Sequence, residues 1–200
     1  MKRASVFLLA FLIVSLSLTL IHPVFAAYIF SDGFESNDYS AWTGTSVHAN
    51  NTLEVQSTIK KSGTYASKHI LAANHIQDPA YCYKDITSQT TCFMRLYVKI
   101  TQAVISGANR YFMFMMMRGA TGAGSTYKYA SVGIIGTTYK LYLEYRTTAG
   151  DQTDTSSTTL TLNQWYCVEL KFVEHASAGE VRVYLDGVEV NDLTHTGLDT

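Results

Sequence analysis

Charge is scarce in this 200-residue chain: Asp, Glu, Lys and Arg make up 16% of it, well below the quarter usual in soluble domains. The 15 basic and 16 acidic residues nearly cancel, to a formal net charge of −1, and no block of like charge interrupts the sequence. That excludes a field strong enough to draw the protein to nucleic acid or to acidic lipid. Cysteine is limited to Cys82, Cys92 and Cys167, none at the C-x-x-C spacing of a zinc site. There is no internal repeat, phosphate-binding loop, nucleophile elbow or Ser/His/Asp order. No Glu-x-Glu or Glu-x-Asp pair of the kind that puts two glycosidase carboxyls on one strand face occurs either. After residue 27 no segment keeps a helical period for three turns. What is abundant is Tyr, at 14 residues, within a chain 47% hydrophobic. Such a composition excludes disorder and leans toward β structure, and the length suits one domain with a real core.

Residues 1–26 read as an export signal. Lys2 and Arg3 precede an apolar run from Val6 to Ile21, broken only by Ser15, Ser17 and Thr19, and Pro23, Val24 and Ala26 supply a breaker and a small-x-small cleavage site. A retained N-terminal anchor is the alternative, and it is the chain's one route to a membrane. Cleavage removes two of the 15 basic residues and none of the 16 acidic ones, so the net charge falls from −1 to −3. The chain is therefore expected to be secreted or held at the cell surface. Exported thiols tend to pair. Cys82 and Cys92 flank a turn-like stretch, Asp85 to Thr90, and are predicted to form a disulfide, leaving Cys167 over.

Period two dominates the rest. Met94, Leu96, Val98 and Ile100 alternate with Arg95, Tyr97 and Lys99. Leu141, Leu143 and Tyr145 alternate with Lys140, Tyr142, Glu144 and Arg146. Tyr166, Val168, Leu170 and Phe172 alternate with Cys167, Glu169 and Lys171, and Val181, Val183 and Leu185 with Arg182, Tyr184 and Asp186. Each pattern predicts a strand with one dry and one wet face. The expected core is Met94, Leu96, Val98, Leu141, Leu143, Val168, Leu170, Phe172, Val183 and Leu185. Between Arg110 and Arg118 all seven residues are apolar, which reads as a central strand covered on both sides or one whose second face lines a groove. A methionine-rich helix is the competing reading, against which Gly107 and Gly119 favour a short strand. Turn signals at Gly122 to Ser125, Gly136-Thr137, Ala149-Gly150-Asp151 and Asp186-Gly187 separate the runs, the last as a hairpin. Thr153 to Thr161 reads as a polar edge strand or loop. Roughly ten to twelve strands result, enough for two stacked sheets.

Four motifs occur in order: Phe30-Ser31-Asp32-Gly33-Phe34-Glu35-Ser36 with Trp42, Lys61-Ser62-Gly63-Thr64-Tyr65-Ala66, Trp165-Tyr166-Cys167-Val168-Glu169-Leu170, and Gly179 to Gly187 ending in Asp-Gly. Over nearly all of residues 27–200 the chain resembles laminin-G-like, concanavalin A-like jelly-roll domains. The resemblance implies an all-β fold, a two-sheet antiparallel jelly-roll sandwich in one domain. It implies no single activity, because that superfamily includes lectins, carbohydrate-binding modules, glycoside hydrolases and polysaccharide lyases. Such domains close with a strand beside the N-terminal one, whereas Leu198-Asp199-Thr200 reads as loop. The resemblance thus implies an absent closing strand, with either a domain left incomplete at its C-terminus or an edge open to a strand-donating protein partner. A cysteine on that strand would be the mate of Cys167. It also implies a structural calcium ion, for which Asp32 and Glu35 are the candidate ligands. A capped turn at Ser31-Asp32-Gly33 is the alternative, and Asn37 with Asp38 forms a second polar cluster.

The candidate ligand-binding residues are Arg95, Tyr97, Lys140, Tyr142 and Arg146, whose strands bury their opposite sides. Rings stack on the apolar faces of sugars, and guanidinium groups hold a carboxylate or sulfate bidentately. An anionic polysaccharide is accordingly the expected ligand, provided the two strands are neighbours; otherwise these residues form an ordinary wet face. Lys99, Lys128, His69 and His75 add groups that a polysaccharide lyase acting on uronates would use. The Gln-x-His and Tyr-Phe-Lys signatures of jelly-roll alginate lyases are missing, and no catalytic residue is assigned. Asn50-Asn51-Thr52 is a glycosylation sequon. The favoured expectation is an exported, non-catalytic carbohydrate-binding or adhesion module. A lyase-like enzyme and a structural surface protein are the alternatives.

Overall fold

The computed structural model describes residues 28–72, 80–103, 110–119 and 127–200. The export segment, His75 and the Gly122–Ser125 turn lie outside them. The chain divides into Met1–Ser31 and Asp32–Thr200, and the strands of the described residues belong to the second unit. No helix among the described residues is long and apolar enough to cross a membrane. Among the described residues the architecture is all-β, with only two short 3-10 turns, Gly136–Thr138 and Asn191–Leu193.

Four short strands come first: β1 (Gly44–Val47), β2 (Thr52–Gln56), β3 (Ala66–Ile70) and β4 (Ala80–Tyr83). They form two antiparallel ribbons, β1–β4 and β2–β3. Nine further strands build two larger sheets: β5 (Thr91–Lys99), β6 (Tyr111–Arg118), β7 (Tyr129–Ile135), β8 (Lys140–Thr147), β9 (Gly150–Thr159), β10 (Trp165–Val173), β11 (Gly179–Leu185), β12 (Val188–Glu189) and β13 (His195–Leu198). One sheet has the order β6-β7-β8-β9. The other runs β12-β11-β10-β5, with β13 also on β11. Every pairing is antiparallel.

The two larger sheets share one core. Val132, Ile134, Leu141 and Leu143 from the four-stranded sheet and Val168, Leu170, Val181 and Val183 from the other are fully buried in a single cluster, an arrangement consistent with a β-sandwich. Full burial of one such Leu or Val contributes about 1.5–3 kcal/mol. Of the predicted core, Met94, Leu96, Val98 and Leu185 are only half-buried against the cluster. Met94, Leu96 and Val98 are on β5, an outer strand of its sheet with nothing among the described residues paired on its far side, and Leu185 borders a turn. That turn is the predicted hairpin: Asp186 and Gly187 take φ 51° and 83°, the paired positive angles of a type I′ turn, between Leu185 and its partner Val188.

Three expectations change. Arg110–Arg118 is not a central strand, because β6 is the outer strand of its sheet. Its lack of alternation comes from a bulge. Met113 opposes Gly133 and Met115 opposes Val132, so Phe114 is an extra residue, and Phe112, Phe114, Met115 and Met117 all reach the core. Leu198 closes a strand rather than a loop, with β13 pairing β11 and buried Thr200 donating its hydroxyl to the Val173 carbonyl at 2.9 Å. Finally, Cys82 and Cys92 do not pair, and all three thiols are free. Asp85 to Thr90 leads the chain from one sheet to another instead of folding it back, so Cys82 lies beside Thr45 in the β1–β4 ribbon and Cys92 beside Phe172 in the five-stranded sheet. Burial pushes the Cys82 thiol up to about 11. Alkylation of the unfolded, unreduced chain followed by intact-mass measurement is expected to add three labels; a single label would restore the disulfide.

One margin of the two sheets is fastened by polar groups. In β9 three residues, Ser156 to Thr158, stand opposite Leu141, because Lys140 pairs Thr159 and Tyr142 pairs Thr155. The bulge turns Ser156 inward, where its hydroxyl donates to Asp192 Oδ1 at 2.7 Å. The Ser157 N–H and hydroxyl donate to Oδ2 at 2.7 and 2.9 Å. Next to it His195 stacks on Tyr145, with Nε2 2.9 Å from Asp154 Oδ2. Asp192 belongs to the 3-10 turn that also buries Leu193, so the carboxylate ties one sheet's margin to the other's. Asp192→Ala is expected to cost about 1 kcal/mol, since the pair is solvent-facing on one side. A thermal melt should register this as a fall of roughly 2–4 °C.

Candidate ligand-binding face

The alternation that fills the core also dictates what the outer face of the five-stranded sheet presents. Arg95, Tyr97 and Lys99 of β5 lie opposite Glu169, Cys167 and Trp165 of β10, all projecting away from the core. Arg95 Nε is 2.9 Å from Glu169 Oε1. Tyr97 is 53% exposed, a large ring for a sheet face to offer to water. The Asp186 carboxylate of the β11–β12 turn accepts the Cys167 N–H at 2.8 Å, which brings an acidic group to the same place. Lys61 overhangs from the loop before β3, its ammonium 5.6 Å from the Tyr97 ring centroid. All of these except Lys99 line a shallow groove of about 390 Å³. Two aromatic rings, two cations and two carboxylates converge there, a set suited to stacking and hydrogen bonding a polar, ring-shaped ligand. The thiol of Cys167, on the groove floor, is held protonated by burial and by Glu169, so it is a poor nucleophile.

Of the five residues predicted to bind together, the structure brings only Arg95 and Tyr97 into this groove. Lys140, Tyr142 and Arg146 sit on β8, in the four-stranded sheet, and face outward from the opposite side of the core. The two strands are not neighbours, because β5 pairs β10 and β8 pairs β7 and β9. Arg146 is also engaged: Nε and Nη2 donate to the two oxygens of Asp151 at 2.6 and 2.9 Å. Tyr142 is nearly buried, stacked on Tyr111 at 5.0 Å.

The residues proposed to hold calcium do other work. Asp32 Oδ2 accepts the Trp42 indole N–H at 2.6 Å and Oδ1 the Phe34 N–H at 2.9 Å, while the Phe34 and Trp42 rings stack 5.7 Å apart. This matches the capped-turn alternative. Glu35 accepts the Thr64 N–H at 3.0 and 3.1 Å and the Tyr65 N–H at 3.3 Å. A carboxylate filled by N–H donors faces positive hydrogens rather than a cation. Asp38 likewise accepts the N–H and hydroxyl of Ser40. Among the described residues no group of three His, Cys, Asp or Glu side chains is placed to hold a metal ion. His69 is also structural in its contacts: Nδ1 donates to the Ala80 carbonyl at 2.8 Å, Nε2 accepts from Ser67 Oγ at 2.7 Å, and Ser67 in turn meets the Tyr39 hydroxyl.

Glu35 instead shapes the groove. Gly63, at φ +66°, leaves room that any Cβ would take from the Glu35 carboxylate, so the carboxylate reaches the Thr64 and Tyr65 amides and holds the loop that carries Lys61. The participants not anticipated from sequence are Lys61, Trp165, Glu169 and Asp186. The parity of β10 already put Glu169 on the wet side, and extending that parity by one step reaches Trp165. Lys61 has no comparable signal, because its place depends on a contact 36 residues away in the chain.

No protein-family model, curated protein or solved structure matches this chain, and the groove's geometry is what bears on function.

The backbone amides of Tyr65 and Thr64 hold the Glu35 carboxyl below its ordinary value of 4.5. A carboxyl depressed in the folded state contributes stability above 4.5 and loses it as pH falls through the folded value. Urea titrations should therefore show a higher midpoint for the wild type than for Glu35→Ala at pH 7, with the gap closing toward pH 3. A gap independent of pH would mean that the Glu35 charge plays no part.

Proposed function

We propose that this chain is an exported, non-catalytic glycan-binding module of jelly-roll type, with the groove around Tyr97 and Trp165 as its binding site. The observation that carries the reading is the meeting of those two rings with paired acid and base on an exposed sheet face. Sugars combine apolar ring faces with a rim of hydroxyls. Tyr97 and Trp165 supply stacking surfaces, and Arg95, Glu169 and Asp186 supply donors and acceptors, the first two oriented by their ion pair and Asp186 by the Cys167 N–H. The ion pair between Arg95 and Glu169 fixes both side chains before a ligand arrives, so little rotamer entropy is lost on binding.

Charge refines the expectation. Lys61 and Arg95 balance Glu169 and Asp186, which favours a neutral sugar chain in this groove over the anionic one expected when Arg95 was read beside Arg146. Affinity electrophoresis against immobilised hydroxyethyl cellulose, a neutral glucan, is the direct check. Tyr97→Ala and Trp165→Ala should each weaken binding by about three- to tenfold, with thermal melts unchanged because both rings lie outside the core. Retention of full affinity by both variants overturns the assignment. Release of unsaturated uronate from an acidic polysaccharide would replace it with the lyase reading.

A further inference from the structure

The opposite face of the molecule carries a second set of rings and cations that the groove does not use. In the four-stranded sheet, Arg118 pairs with Tyr129 across β6 and β7, and Arg146 with Asp151 across β8 and β9. Ala130 pairs with Tyr145, so Arg118, Tyr129, Arg146 and Asp151 form one row across all four strands. Tyr127 stands over that row, with the Arg118 guanidinium 5.1 Å and the Arg146 guanidinium 5.4 Å from its ring. The Tyr129 hydroxyl donates to Glu144 Oε1 at 2.8 Å, and Asp151 takes both bonds of Arg146. The two acids on this face are thus each occupied. Arg118 is different: it is exposed, and among the described residues no carboxylate pairs with it. Neither does one pair with Lys140, six residues along β8 from Arg146, which puts it about 20 Å away at the usual strand rise. Met116, half exposed, lies between the two ends on β6, and Tyr111, half exposed and in the same row as Lys140, stacks on Tyr142 two residues nearer the Arg118 end.

We infer that the outer face of the four-stranded sheet is a second, separate binding surface, which takes an acidic glycan chain along the line from Arg118 to Lys140. A carboxylate or sulfate fits the open guanidinium fork of Arg118 bidentately. A second anionic unit meets the Lys140 ammonium, and the half-exposed Tyr111 ring, level with Lys140, receives a sugar face at that end. With Glu144 and Asp151 set against Arg118, Lys140 and Arg146, this face keeps a net positive charge, whereas the residues lining the groove balance. Because both faces project from one core in opposite directions, a single chain can hold a neutral and an acidic polysaccharide at once. The inference borrows from the proposed function only the ligand class, and the two sites are tested by different probes.

The experiment uses the whole chain with polygalacturonate and dextran sulfate as the carboxylate and sulfate probes and hydroxyethyl cellulose as the neutral one. Binding to at least one acidic probe is expected, weakening as salt rises through 0.1–0.2 M because the contact is an exposed charge pairing. The Arg118→Ala/Lys140→Ala double variant should lose about tenfold in that affinity, keep the same melting temperature, and bind the neutral glucan as wild type does. Tyr97→Ala/Trp165→Ala should show the reverse, and saturating neutral glucan should not displace the acidic chain. Absence of binding to both acidic probes, or unchanged acidic binding by the Arg118/Lys140 variant, overturns the second surface and leaves the groove reading standing. Loss of both ligands in the Tyr97/Trp165 variant with an unaltered melt overturns it as well, by making the two sites one. Loss of the neutral ligand alone from the wild type refutes the groove and not this face.

Discussion

One constraint governs the architecture: two sheets bury their inner faces in a single apolar cluster. Val132 and Leu143 on one side and Leu170 and Val183 on the other are fully enclosed, and each commits its strand to a fixed orientation. A shift of register by one residue would put Arg95, Lys140 and Glu169 into the core and Leu96, Leu141 and Leu170 into water, a change far larger than the whole stability of a domain. Everything presented on the two outer faces follows from that commitment.

Polar groups then finish what packing begins. The outer face of the five-stranded sheet carries a chain of ion pairs, Lys171 to Glu180, Glu180 to Arg182 and Arg182 to Glu189, at 2.6, 3.0 and 2.9 Å. Exposed pairs of this kind add little stability. Their effect is to orient side chains across β10, β11 and β12, and to neutralise charge away from the groove. At the margin, Asp192 acts more directly, because the bulge in β9 delivers an inward-turned serine and a backbone N–H to its two oxygens.

The N-terminal ribbons contribute through local knots. The Phe34–Trp42 stack with its Asp32 acceptor, and the relay from Tyr39 through Ser67 and His69 to the Ala80 carbonyl, join short strands that could not bury enough surface alone. Their bearing on function runs through Glu35, whose grip on the Thr64 and Tyr65 amides fixes the loop that suspends Lys61 over Tyr97. Two carboxylates that look like cation ligands in the sequence are acceptors for N–H groups in the fold.

The all-β class, the facing of β5, β8, β10 and β11, and the Asp186-Gly187 hairpin were legible from sequence, because a period of two and a positive-φ turn are local properties of the backbone. The polar character of β9 and the wet position of Arg95, Tyr97, Lys140 and Arg146 were legible for the same reason. Which wet residues share a surface was not. Parity says that a side chain leaves the core but not on which of two faces, and only the strand order separates Arg95 and Tyr97 from Lys140, Tyr142 and Arg146. The cysteines failed similarly, since ten residues of separation suit a hairpin and suit equally a crossing from one sheet to another. The bulges at Phe114 and Ser156 depend on what each strand packs against, so tertiary structure alone decided that a methionine-rich run became an outer strand and that Asp192 became a clasp.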